Sequence, residues 1–280
     1  MDESELSSIK SVVSSIIKTL DDPRSTAKDL RDIIQIDPPL TAKVLKVVNS
    51  SYYSLRNKVS DITHAVILIG FDAVKELALN QKVCEIFKQN GATHQYSRPS
   101  LWKHSVAVAI LAKLISRREF RQGGENSYAA GLLHDIGIIA EDQFLQDQFR
   151  RVLYESQTQK TSLSQAERKV LGYNHAQIGM AIARKWDLPE ELVMSIGYHH
   201  DPDKAPKAYR KLASILYVAD YFCLDGGVGY GDQPLEDDGV FRRSLRELKV
   251  ESRSLDLIWE DVKQEMSKME DQGSLWHETS

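Results

Sequence analysis

Ile9, Val12, Val13, Ile16, Ile17 and Leu20 return at three- and four-residue intervals, and the same beat runs through most of the chain. That period lays an apolar stripe along one side of a helix. Alternating strand patterns and hairpin dipeptides are essentially absent. A chain with stripes and no strands has to bury helix against helix, so the expected fold class is all-α.

Punctuation agrees with the period. Asp37-Pro38 reads as a cap followed by proline at the first helical position, opening PPLTAKVLKVVNS. Ser60 is expected to cap ITHAVILIG and Gly70 to end it, and Asp72 to cap AVKELALNQKVCEIF. The stretch QNGATHQYSRP, 89–99, is polar and breaks the period, so it divides an N-terminal helical half from a second half. Ser100 is placed to cap LWKHSVAVAILAKLIS, Ser164 with Glu167 to form a capping box, Asn174 to cap HAQIGMAIARKW, and Pro189 to open PEELVMSIGYHH. A helix over 207–224 follows, then the glycine-rich DGGVGYGDQP, then helices near 238–250 and 254–270 and a frayed tail. Those glycines follow a helix rather than a strand, which gives a phosphate cradle little support. The expected segments are 1–95, 96–225 and 235–280.

With 280 residues, 42% of them hydrophobic and 27% charged, the chain has ample material for a core. A net charge of −4 leaves no footprint for non-specific nucleic-acid binding. Arg117, Arg118 and Arg121 read as a solvated helix end. Cys84 and Cys223 lie far apart in apolar surroundings and read as buried thiols. MDESELSS is acidic and no 18-residue apolar run follows, so the expectation is a cytoplasmic protein with no membrane partner. The stripe of residues 40–48 with Tyr52-Tyr53 reads as core, its NSSYYS segment shaping the junction between halves.

Histidines and carboxylates carry the chemistry. His104 shares spacing with Leu101, Val108, Leu111 and Ile115, and so faces the core side of its helix. His134 and Asp135 fall mid-helix within GLLHDIG, His175 in a first turn, and His199-His200 at a helix end. Asp220 lies on the apolar face with Ala213 and Leu216. His64 reads as a packing residue, and His94 and His277 as exposed. Charged groups are seldom buried unless paired or bound to a cation. Five histidines and two aspartates facing inward suit one or two divalent ions such as Fe, Mn, Zn or Ni, built between helices of a bundle. The other reading is a hydrogen-bonded structural set, and a His-His pair at a helix C-terminus is also favoured by the dipole without any metal.

The order His104, His134-Asp135, Asp220 resembles the HD superfamily of metal-dependent phosphohydrolases. Adding His175 and His199-His200, it resembles the HD-GYP branch, which hydrolyses cyclic di-GMP at a two- or three-metal site. IDPPLTAKVLKVVNSSYYS, ITHAVILIGFDAVKELAL, GLLHDIG, Glu167, NHAQIG, Trp186 and HHDP resemble, more closely still, the HDOD family, the HD-related output domain of bacterial signalling proteins. This resemblance spans roughly 15–225. It implies an HD-like helical bundle preceded by an N-terminal helical subdomain, and a regulatory role. It also implies His104, His134, Asp135, His175, His199, His200 and Asp220 as metal ligands.

Three departures concern catalysis. Ile138 stands where the HD-GYP pattern has lysine, Ser100 where trinuclear members have glutamate, and DPDKAP follows His199-His200 without the GYP loop. The expectation is therefore a signalling module that binds a partner protein or a small nucleotide-type ligand, with no catalytic residue assigned. A metal-dependent hydrolase of a nucleotide or cyclic dinucleotide is the alternative, with His200 as a candidate acid or base, and a purely structural scaffold is a third reading.

Overall fold

The protein was analysed as a computed structural model, which describes residues 3–22, 24–87, 92–93, 96–230 and 238–271. His94, His277 and the end of DGGVGYGDQP lie outside the described residues, as does the side chain of Leu20.

The described residues form α-helices joined by short turns, with one strand pair of two residues each. The N-terminal half is α1 (Glu3–Asp21), α2 (Ala27–Gln35), α3 (Pro38–Val48), α4 (Ile62–Ile69) and α5 (Phe71–Phe87). Strands β1 (Ala92–Thr93) and β2 (Tyr96–Ser97) pair antiparallel across the junction, Thr93 opposite Tyr96. The second half is α6 (Arg98–Phe120), α7 (Glu125–Leu133), α8 (Ile136–Phe144), α9 (Gln146–Gln159), α10 (Leu163–Leu171), α11 (His175–Lys185), α12 (Glu190–Gly197) and α13 (Arg210–Asp225). Two helices, α14 (Asp238–Leu248) and α15 (Ser252–Asp271), complete it, α14 packing on α13 and α15 on α6. The fold is all-α, as the periodicity predicts.

Several caps fall as expected. Asp37 accepts from the Leu40 amide with Pro38 at the first position of α3, and Gly70, at φ +92°, ends α4. Asn174 and Gln177 form a capping box at α11. Others move by one to three residues. Asp61 rather than Ser60 caps α4, because its carboxylate reaches the His64 amide. Ser97 rather than Ser100 caps α6, since Arg98-Pro99 already occupy the first turn. Ser162 rather than Ser164 caps α10, accepting from Gln165. Asp72 does not precede its helix but lies in the first turn of α5, paired with Lys75 at 2.9 Å.

The apolar core is continuous from Ile9 to Met266. Helix α1 packs on both α5 and α7, and α5 on α6 and α7, so the first half covers one flank of the second. Leu40, Val44, Val47 and Val48 are buried as expected. Tyr52 is not core: it is 39% exposed, because it stands in the turn after α3 rather than on its buried face. Tyr53 is partly buried and packs against the core, and both line a cavity. Cys84 and Cys223 are buried free thiols. Arg117 and Arg118 pair with Glu125 and Asp261 at the exposed end of α6. No helix among the described residues is long and apolar enough to cross a membrane.

Candidate metal centre

GLLHDIG is not one helix. Helix α7 stops at Leu133, Asp135 adopts φ −97° and ψ 13°, and α8 starts at Ile136. The expectation that His134 and Asp135 lie mid-helix is therefore corrected. The break follows from two glycines that seat the flanking helices on different partners. A Cβ on Gly131 would lie 2.7 Å from Ala109 Cα of α6, and one on Gly137 would lie 2.0 Å from the His175 carbonyl oxygen of α11. Each helix is drawn tight against its own neighbour, and the chain bends where His134 and Asp135 stand. Freed from helical direction, the Asp135 carboxylate points into the bundle and caps nothing.

Four rings are held from behind. Nδ1 of His134 donates to the Gly131 carbonyl at 2.7 Å, Nδ1 of His199 to Ile196 at 2.7 Å, and Nδ1 of His104 to Val228 at 2.8 Å. Nδ1 of His175 lies between both oxygens of Glu167, at 2.8 and 2.9 Å, and its backbone amide also donates to Glu167. A neutral ring that donates through Nδ1 presents a lone pair on Nε2, the arrangement a metal-ligating histidine takes from its supporting partners.

The Nε2 atoms converge on Asp135. Its Oδ2 lies 3.2 Å from His134 Nε2 and 3.8 Å from His104 Nε2, while its Oδ1 lies 3.1 Å from His175 and 3.7 Å from His199. Asp220 Oδ1 stands 3.0 Å from His104 Nε2 and 3.9 Å from His134, and His200 Nε2 2.7 Å from His175 Nε2. Two ligand groups result. One is His104, His134 and Asp220, and the other Asp135, His175, His199 and His200, with the ligand atoms of each within 4.8 Å of one another. Each oxygen of Asp135 faces one group, so this carboxylate would be shared if both groups held a cation.

All the ligands but His200 are buried: His104, His134, His175 and His199 expose nothing, Asp135 2% and Asp220 6%. Yet Nε2 of His104, His134 and His199 and Oδ2 of Asp135 make no hydrogen bond. A buried polar atom left unpaired costs roughly 1–3 kcal/mol, and here several such atoms point at one another. A cation in each group would satisfy them together, so the residues fit a divalent metal centre.

Electrostatics favours the ligand forms of the acids and of His199. Burial pushes Asp135 up, but His134 and His175 outweigh it and hold the carboxyl well below its usual range. Asp220 is likewise raised by burial and brought below its ordinary value by His104. Burial and the His200 ring keep His199 well below the usual imidazole value, hence neutral. His134 and His175 are lowered by burial but raised on balance, by Asp135 and by Glu167 respectively.

All seven residues singled out in the sequence stand in these two groups, from α6, the α7–α8 bend, the start of α11, the turn after α12, and α13. His64 is on α4, away from them, and Ile138 is fully buried in the apolar core. Sequence reasoning missed the supports behind the rings. Three are backbone carbonyls, which no residue identity reveals. One of them, Val228, follows Gly227 at φ +77° in the glycine-rich loop, whose turn brings that carbonyl to His104. Glu167 had a visible signal, an acid beside Leu163 and Ala166 on the buried face of α10.

Glu141 was missed too. It exposes nothing, neither oxygen is hydrogen-bonded, and burial together with the Glu167 carboxylate pushes its pKa up to about 9. Its signal was three-residue spacing from Ile138 on the buried face of α8. Because the folded state holds this proton where the unfolded chain, with its ordinary value of 4.5, has lost it, stability falls as pH rises from about 4.5 to 9. Glu141→Gln has no proton to lose. Its stability relative to wild type should climb across that window, by at most about 1.4 kcal/mol per pH unit. Urea melts at pH 5, 7 and 9 check this, and parallel pH dependences would refute it.

Comparison with known proteins follows the same lines. The HDOD domain matches residues 6–202. The solved structure of an HDOD domain protein from Geobacter sulfurreducens superposes with a TM-score of 0.78 at 29% identity, over 95% of this chain and 92% of that one. A protein from Marinobacter aquaeolei VT8, named provisionally for signal transduction, shares the fold at a TM-score of 0.74 and 23% identity, over 95% of this chain and 58% of that one. An uncharacterized protein of Treponema pallidum is 25% identical over 258 residues, which are 88% of this chain and 48% of that protein. The chain thus spans about half the length of that curated relative.

Proposed function

Since the chain belongs to the HDOD family, we propose that it acts as a regulatory module of a signalling pathway, binding a partner protein or a small ligand. In this reading its HD-like half is built round one or two divalent ions, and it works in the cytoplasm. The observation that carries the metal part is that unbonded, buried Nε2 atoms face both oxygens of Asp135, those of His134 and His104 toward Oδ2 and that of His199 toward Oδ1. His104, His134 and Asp220 would hold one ion and His175, His199 and His200 the other, Asp135 bridging. Imidazole with carboxylate suits Fe, Mn, Zn or Ni.

A bound pair of this kind supplies Lewis acidity, the usual means of phosphoester hydrolysis, and the ligand set keeps that alternative open. Regulation is favoured because Ile138, at the position where HD-GYP enzymes carry lysine, is sealed in the apolar core and offers no cation to a phosphate. The name of the Marinobacter structure points the same way.

The test is protein purified without chelator, analysed for metal and then screened against nucleotides and cyclic dinucleotides with added Mn or Fe. We expect one to two equivalents of metal and no turnover approaching the usual enzymatic range of about 1 s⁻¹ or more. Metal-dependent hydrolysis in that range would replace the regulatory reading with the hydrolase. Protein that stays metal-free after reconstitution would remove the metal centre.

A further inference from the structure

The cavity lined by Tyr52 and Tyr53, separate from the seven candidate ligands, lies where the N-terminal half, the HD-like half and α15 meet. It measures about 240 Å³ and is lined from α5 by Ala73, Glu76, Leu77 and Asn80. Tyr52 and Tyr53 stand on one side of it, in edge-to-face contact at 4.7 Å between ring centres, and Lys113 and Tyr128 on another.

Two of its polar atoms lack partners. Asn80 is 2% exposed and its Oδ1 makes no hydrogen bond. Glu76 Oε2 takes Lys113 Nζ at 2.5 Å, but its Oε1 is buried and unpaired. Both atoms are acceptors, and they lie one turn apart on the same face of α5. Leaving a buried acceptor unpaired is costly, and two of them on residues that line one cavity favour a molecule that donates twice.

Charge and shape narrow its class. Glu76 and Glu265 against Lys113 leave the lining one charge negative, which disfavours phosphates and other anions. Burial pushes Glu76 above the ordinary carboxyl range despite Lys113, so an added N–H donor would relieve it. Tyrosine rings with Val47, Leu77 and Ile110 make flat apolar walls. The volume is just below the usual range for drug-sized ligands, about 300–1,000 Å³, which fits a one- or two-ring molecule.

We propose that this cavity binds a planar, uncharged or singly cationic nitrogen heterocycle bearing an amino group, donating N–H to Glu76 Oε1 and Asn80 Oδ1 between the tyrosine rings. Its occupant would touch α6 and α7, the helices that lead to His104 and His134, which gives a small molecule a place from which to act on the module. The assignment does not depend on a metal being bound.

The experiment titrates 2-aminobenzimidazole, adenine and cytosine into the full chain by NMR and thermal shift. Naphthalene serves as a ring of similar size without donors. At least one amino heterocycle should bind saturably and at least tenfold more tightly than naphthalene. Asn80→Leu and Glu76→Gln should each weaken it about tenfold or more, and Ala73→Leu should block it by filling space while leaving every polar group in place. Metal content should be unchanged in all three, so a failed metal centre would not be mistaken for a failed cavity. The proposal is overturned if no probe binds the folded wild-type protein. It is also overturned if folded Asn80→Leu and Ala73→Leu both bind with wild-type affinity.

Discussion

Asp135→Asn is expected to empty the metal centre while leaving the fold in place. The amide keeps the shape of the carboxylate but removes the charge that faces both ligand groups at once. Changes to residues that merely support metal ligands typically cost 10–100-fold in affinity, so loss of a bridging ligand should cost at least about 100-fold. Metal per protein, by elemental analysis, should drop from one to two equivalents to below about a tenth of that. With free ion at 100 times the dissociation constant, the folded protein gains about 2.7 kcal/mol. Chelator should therefore lower the melting temperature of the wild type by several degrees and leave the variant unmoved. Because His134 and His175 are raised above their ordinary values, loading must displace protons, and wild-type affinity should weaken as pH falls. Equal metal in wild type and variant would sink the assignment.

Gly137→Ala should be strongly damaging for a single-methyl change. The added carbon would sit 2.0 Å from the His175 carbonyl oxygen and 2.8 Å from its carbonyl carbon, both backbone atoms that no rotamer change can clear. Helix α8 would have to back away from the start of α11, and Asp135 and His175 lie at that meeting point. We expect a loss of about 3 kcal/mol or more, or at least about 6 °C in melting temperature for a protein of this size. Metal content should fall in whatever folded protein remains. Gly172→Ala provides the contrast. It replaces a glycine that ends α10, at φ +85°, but a Cβ there meets nothing within 4 Å, so only conformational strain of about 1 kcal/mol is expected. Similar losses in the two variants would show that close approach at Gly137 is not what positions the ligands.

Much of this molecule is legible in its sequence because helices announce themselves. Three- and four-residue spacing predicts the class, and Asp37-Pro38, Gly70 and Asn174 mark boundaries where the structure has them. The displaced caps show the limit of that reading. Ser60 and Asp61, or Ser162 and Ser164, are all competent caps, and only backbone direction decides which oxygen meets an amide. The site divides in a similar way. The grouping of its seven candidate ligands follows from residue type and period, whereas the bend at His134-Asp135 comes from where α6 and α11 press on Gly131 and Gly137, a tertiary fact. Glu141 illustrates a third kind of miss. An acid at a buried helical position looks like an ordinary end-of-helix charge until a second carboxylate, Glu167, is found against it.

The way α1 leans on both α5 and α7 bears on how such a module passes between genomes. Domain shuffling works by cutting a gene where few contacts cross, and the polar 89–99 stretch looks like such a seam. A crossover there would carry away α1 and α5 together with the apolar flank of α7 that they cover, and the recipient would inherit the histidine half with an open hydrophobic side. The first hundred residues hold none of the seven candidate ligands, yet an intact histidine half would need them to cover its flank.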